Sequence, residues 1–143
     1  MKVKIINKSG HALPEYASPG SAGVDLRANL AETVTIAPAA RALIPTGLQI
    51  ELPEGFEAQI RSRSGLALKH GVCVLNSPGT IDSDYRGEIK VILINHSDEP
   101  YTVENGDRIA QMVVAKYEKI DFQLVEELSG TQRDSGGFGS SGN

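Results

Sequence analysis

Five short segments of this chain carry residue types that could do chemistry. The first, Arg61-Ser62-Arg63-Ser64-Gly65-Leu66-Ala67, sets two arginines among small residues. Small residues ahead of a helix leave backbone N–H groups pointing outward, and an arginine fork matches phosphate oxygens. The same string also reads as a solvated strand end with Ser64 as an ordinary helix cap. It is not a Walker-type loop, since no G-x-x-x-x-G-K-[ST] occurs in the chain. The second segment is Asn76-Ser77-Pro78-Gly79-Thr80-Ile81-Asp82-Ser83-Asp84-Tyr85-Arg86-Gly87. A carboxylate here could serve as a general base toward water, and the tyrosine ring could pack against a sugar. Equally, the Asx side chains could bond only their own backbone.

Two segments are weaker. Ser21-Ala22-Gly23-Val24-Asp25-Leu26-Arg27-Ala28 places one acid among small and apolar residues, the usual setting of a strand-end carboxylate. Arg108-Ile109-Ala110-Gln111-Met112 opens an apolar run in which Gln111 is either a ligand contact or an ordinary paired polar group. The fifth segment, residues 129–143, reads SGTQRDSGGFGSSGN, with nine of fifteen positions Gly or Ser. Such a stretch buries too little apolar surface to offset its ordering entropy, so it reads as a flexible tail. The lone Phe138 and lone Arg133 instead suit a segment that folds over a ligand.

Other reactive groups form no constellation. His11, His70 and His96 are scattered without metal-ligand spacing. The single cysteine, Cys73, sits in Val72-Cys73-Val74-Leu75 as a small buried hydrophobe, and its solitude excludes an internal disulfide or a cysteine zinc site. No Ser/His/Asp or Cys/His arrangement is suggested.

The elements that must position these groups are short and β-rich. Residues 48–52 and 56–60 alternate with period two around Pro53-Glu54-Gly55, which predicts a hairpin. Further strands are expected over 34–36, 72–75, 89–94, 101–103 and 109–115, where β-branched residues concentrate. One helix is expected, over 64–70, with Gly71 as its cap. The pattern is that of an all-β sandwich or barrel. The 143 residues fit one domain, with the composition change placing a core at 1–128 and a tail at 129–143. With 40% hydrophobic and 22% charged residues, disorder of the whole chain is excluded. The start, Met1-Lys2-Val3-Lys4-Ile5-Ile6-Asn7, is too soon polar for a signal peptide, so a cytoplasmic, reducing setting is expected. A net charge of −4 argues against a nucleic-acid coat or a membrane-surface protein.

In order and spacing, the five segments resemble the homotrimeric dUTP diphosphatases (dUTPases). The matching strings are PGSAGVDLRA at 19–28, RSRSGLA at 61–67, NSPGTIDSDYRGEI at 76–89, RIAQM at 108–112 and RDSGGFGSSG at 133–142. The resemblance implies a distorted β jelly roll (a β-clip) whose three active sites lie at subunit interfaces, with the tail an arm closing over a neighbour. It implies hydrolysis of dUTP to dUMP and pyrophosphate with magnesium, which limits uracil incorporation into DNA and supplies dUMP for thymidylate synthesis.

By position, the resemblance makes Asp82 the carboxylate that deprotonates water at the α-phosphorus. Tyr85 would lie under the deoxyribose, and Asn76 with the backbone near Gly87 would read the uracil edge. Arg63, Ser64 and Gly65, assisted by Gln111, would hold the phosphates. Asp25 would meet the water shell of magnesium. In the arm, Arg133 and Ser140 would bind the γ-phosphate, Phe138 would lie over the base, and Gly139 would be a further substrate contact. The chain departs from the family at Asp134-Ser135, where glycine more often follows the arginine, and at Ser141, where Thr is common. Two other readings compete: a dCTP deaminase of similar fold, and a non-enzymatic oligomer module built on the same fold.

Overall fold

The computed structural model describes residues 1–137. Eleven strands and one helix follow in order: β1 (Lys4–Asn7), β2 (Val24–Arg27), β3 (Val34–Ile36), β4 (Arg41–Pro45), β5 (Leu48–Glu51), β6 (Phe56–Arg61), α1 (Ser64–His70), β7 (Val72–Val74), β8 (Gly79–Ile81), β9 (Lys90–Asn95), β10 (Tyr101–Val103) and β11 (Arg108–Lys116). They form a four-stranded sheet ordered β2-β11-β6-β8, a three-stranded sheet ordered β4-β9-β7, and the pairs β1-β5 and β3-β10, all antiparallel. The architecture is the expected all-β, jelly-roll-like one. Among the described residues no helix is long and apolar enough to cross a membrane.

No strand pairs with its sequence neighbour. The expected hairpin over residues 48–60 is therefore corrected. A tight turn does form, with Phe56 N–H donating to Pro53 O at 3.3 Å and Gly55 at φ 84°. Its two arms then diverge, β5 to pair with β1 and β6 to pair with β11 and β8. Period-two alternation reports that each strand has one buried face; it does not report which strand lies alongside.

Alternation sends Leu26, Ile44, Ala58, Ile60, Val91, Leu93, Val103 and Ile109 into one core, each at most 3% exposed. Truncating a side chain such as Leu93 to Ala would cost about 2–5 kcal/mol through lost transfer and the cavity left behind. The buried Asn95 meets all its needs: its amide donates to Ile36 O and Glu99 O, and its Oδ1 accepts from the Ser97 N–H and hydroxyl. Cys73 is half-buried between buried Val72 and Val74, because odd positions of β7 face outward.

The helix over 64–70 ends as expected. Gly71 takes the left-handed conformation (φ 64°) and its N–H closes the last turn onto Ala67 O. Its start differs: Arg63, not Ser64, occupies the cap position, without a side-chain capping bond. Residues 117–137 contain neither helix nor strand.

Candidate active site

The outward face of the four-stranded sheet carries the site. Directly opposed residues on neighbouring strands point to the same face, and the register sets Asp25 of β2 opposite Gln111 of β11, and Gln111 opposite Arg61 of β6. An acid, an amide and a cation thus form one row across three strands. At the end of β6 the chain turns into α1, so Arg63, Ser64 and Gly65 rise beside this row. Together they line an open cleft of about 330 Å³, with Glu15, Ala17, Ser21, Ala22, Gly23 and Val113 completing its wall. Gly23 is needed there for space, since a Cβ would lie 2.9 Å from the Gln111 side-chain oxygen.

Asp25 organises the cleft. Its Oδ1 accepts from Arg63 Nε at 3.0 Å and its Oδ2 from Arg108 Nη1 at 3.2 Å. Arg63 is gripped a second time, its Nη1 donating to the Arg108 carbonyl at 2.9 Å. The guanidinium is thereby fixed at two of its nitrogens and keeps its remaining N–H donors for a ligand. One acid held by two arginines leaves the cluster net positive, suited to a phosphate chain. Arg108 reaches Asp25 from a bulge, where the β2–β11 register shifts between Arg108 and Ala110; bulges re-aim side chains in this way. The nearby Tyr101 phenol is pushed up by burial first and by the Asp107 charge second, with Arg63 opposing both.

The loop after β7 forms a separate surface. No described residue of 76–89 lines the arginine cleft. Asp82 borders another hollow, about 530 Å³, with Ser83, Asp84, Arg86, Tyr117, Lys119, Glu54 and Leu52. Tyr85 is 44% exposed. Its N–H closes a turn onto Asp82 O and its hydroxyl donates to Glu88 O at 3.1 Å. The ring lies so close over Gly87 that a Cβ there would collide with the hydroxyl and ring carbons. Asn76 is exposed, its amide nitrogen packed against Gly79, where a Cβ would come within 3.0 Å of it. Within one chain, then, Asp25, Arg63, Ser64, Gly65 and Gln111 come together, Asp82, Tyr85 and Gly87 share a turn elsewhere, and Asn76 lies against Gly79.

In the last described stretch, Arg133 sits in a turn, donating from Nε to Gly136 O at 2.8 Å while Gly136 N–H returns to Arg133 O. Asp134 adopts φ 42°. A left-handed position explains why glycine suits this place, and Asp is among the few residues that tolerate it. Phe138, Gly139, Ser140 and Ser141 lie outside the described residues.

The residue types also bear on a metal. Among the described residues no three His, Cys, Asp or Glu side chains gather as a ligand set. Asp25 is half-buried, and each of its oxygens retains a lone pair after accepting from an arginine. That donor set fits an ion held through its own water shell, the habit of magnesium on a nucleotide.

Two contributors carry no local signal. Arg61 joins the row only through its register opposite Gln111. Arg108 opens a strand, and its contact with Asp25 depends on a bulge that no local pattern announces.

Comparison with known proteins agrees with this architecture and site. Residues 10–142 match the dUTPase family model. Deoxyuridine 5'-triphosphate nucleotidohydrolases from Finegoldia magna (57% identical, 99% of each chain covered) and Cytophaga hutchinsonii (60% identical, 98% of this chain and 91% of the relative) align over nearly the full length. The solved dUTPase of Staphylococcus bacteriophage 80alpha, a G164S mutant with dUpNHpp, superposes with a TM-score of 0.89 at 27% identity over 99% of both chains. The chain belongs to the dUTPase family.

Proposed function

We propose that this chain hydrolyses dUTP to dUMP and pyrophosphate by attack of water on the α-phosphorus, in sites shared between copies of a homotrimer. The observation that carries the reading is the arginine cleft, in which Asp25 holds Arg63 beside Ser64, Gly65 and Gln111, with Arg108 bonded to the other Asp25 oxygen. A cleft with fixed cationic donors is what a triphosphate chain requires, because phosphoryl transfer depends on positioning and charge stabilisation. The separation of this cleft from the Asp82 and Tyr85 surface supports sharing: one copy holds the phosphates while another presents base and sugar contacts.

In this reading Asp82 takes a proton from the attacking water, whose oxygen forms the new bond to the α-phosphorus as the α–β bridging bond breaks toward pyrophosphate. Tyr85 lies under the deoxyribose and excludes a 2′-hydroxyl. Asn76 and the Gly87 backbone read the uracil edge. Arg63, Ser64, Gly65 and Gln111 bind the phosphates. Magnesium bound to the triphosphate would add charge neutralisation there, with Asp25 meeting its water shell. The core spans 1–128, and residues 129–143 act as an arm bringing Arg133 and Ser140 to the γ-phosphate and Phe138 to the base, with Gly139 a further substrate contact. The acid at Asp134 weakens γ-phosphate capture relative to glycine. Such an activity limits uracil incorporation into DNA and supplies dUMP for thymidylate synthesis.

The test is product analysis with each deoxynucleoside triphosphate, with and without magnesium. Pyrophosphate and dUMP from dUTP alone support the reading. Ammonia released from dCTP would favour a deaminase, and no turnover of any nucleotide would favour a binding module.

A further inference from the structure

Glu88 follows the Tyr85 loop and has been given no part in the site. Its side chain nevertheless makes a specific bond across the molecule: Oε1 accepts the backbone N–H of Gly47 at 2.8 Å, while Oε2 faces Lys90 Nζ at 3.8 Å. Gly47 is itself closely packed. It holds φ 71°, and a Cβ there would lie 2.7 Å from Ser9 N and 2.9 Å from the Asn29 amide. Lys8 N–H donates to its carbonyl at 2.8 Å. The carboxylate therefore grips a rigid point of the barrel with a charge-assisted bond.

The next peptide unit is fixed too. Ile89 N–H donates to Leu48 O at 2.8 Å, and the buried Thr46 hydroxyl donates to Ile89 O at 2.6 Å. The carbonyl of residue 88 is thus a stationary acceptor, and it is the atom to which the Tyr85 hydroxyl donates. On the other side, among the described residues, 82–87 are braced by bonds of their own, Tyr85 N–H to Asp82 O and Arg86 Nη1 to Ser83 O and Tyr85 O, besides the Tyr85 hydroxyl bond to Glu88 O. Rotation about the Cα–C bond of residue 88 would swing this turn and carry the Tyr85 ring off its acceptor. The same rotation would pull the Glu88 side chain away from Gly47, so that bond opposes it.

We infer that Glu88 is a positioning residue that sets the height and tilt of the Tyr85 ring, and through it the preference for deoxyribose over ribose. This rests on the assignment of Tyr85 to the sugar. Glu88→Gln keeps an oxygen for the Gly47 N–H; Glu88→Ala removes it.

Two readouts separate the inference from its parent. Amide hydrogen exchange at Gly47 should be near wild type in Glu88→Gln and about tenfold or more faster in Glu88→Ala, the span expected for losing a bond to a charged acceptor. The ratio of kcat/KM for dUTP over UTP should fall about tenfold in Glu88→Ala and return in Glu88→Gln, since about 1.4 kcal/mol corresponds to a factor of ten. Unchanged Gly47 exchange in Glu88→Ala would overturn the grip. Faster exchange with an unchanged ratio would overturn the link to Tyr85. A wild-type chain inactive on dUTP would sink the parent reading and the sugar role with it, leaving the exchange result to judge the grip alone.

Discussion

Replacing Asp25 by Asn probes the arrangement on which the phosphate cleft depends. The carboxylate accepts from Arg63 and Arg108 with different oxygens. Asparagine has one acceptor oxygen, so its NH₂ must face one of the two guanidinium groups, donor against donor, with no charge between the cations. A hydrogen bond to a charged group contributes about 1.5–3 kcal/mol. The Arg63 bond belongs at the low end of that range, because both side chains are about a quarter to a third exposed. Arg108 is 53% exposed, so its pair adds about 0.5 kcal/mol. The sum, about 2 kcal/mol, lowers the melting temperature of a chain of this length by roughly 6 °C. Loosening Arg63 misplaces a phosphate donor, and kcat/KM for dUTP should drop about 10–100-fold, with more magnesium needed for half-maximal rate. Thermal melts followed by circular dichroism and initial rates over a magnesium series measure both effects. A variant that melts with the wild type and keeps its kcat/KM would refute the claim that Asp25 aligns this cleft.

Asp82→Asn removes the proton acceptor while keeping shape, so kcat should fall about 10²–10⁴-fold with nucleotide binding retained; an unchanged kcat would move water activation to Asp84. Co-refolding Asp82→Asn with Arg63→Ala should restore about a quarter of wild-type activity if each site takes the two residues from different copies of a trimer, whereas activity no higher than either variant would place both in one chain. Deleting residues 129–143 should leave the melting temperature in place and abolish turnover, and Phe138→Ala should lower kcat/KM roughly 5–150-fold, the worth of one base stack; full activity of the truncated chain would reduce the segment to a linker. The exposed pair Glu54–Lys119 lowers the Glu54 pKa and raises that of Lys119, mainly through their shared hydrogen bond. Any stability it lends is present between the two unfolded values, lost as pH falls through the lowered Glu54 value and as it rises through the raised Lys119 value. At full exposure Glu54→Gln should shift the melting temperature near neutral pH by no more than about 2 °C.

Local chemistry made some of this structure legible in advance. Alternation and β-branching located β3, β5, β6, β7, β9, β10 and β11 to within a residue or so, and Gly71 marked the end of α1 because only a left-handed residue closes that turn well. Strands β1, β2, β4 and β8 escaped. Lys4–Asn7 and Val24–Arg27 are four residues with charged members, Arg41–Pro45 ends in proline, and Gly79–Ile81 lies inside a loop rich in turn residues. Pairing was the least legible feature, since hairpin signals presume that neighbours in sequence lie side by side, and here none do. The same non-local register brings Arg61, Gln111 and Asp25 into one row. The site residues themselves were named through family resemblance. The division into two surfaces, and the Asp25 bridge, arise from non-local pairing and the bulge at Arg108, which leave no local trace.

The central claim is water attack at the α-phosphorus of dUTP, and hydrolysis in ¹⁸O-labelled water tests it most directly. One labelled oxygen should appear in dUMP and none in pyrophosphate, as read by mass spectrometry after a single turnover with magnesium. Label in the pyrophosphate would place the attack on the β-phosphorus and contradict the account, as would the absence of any dUMP.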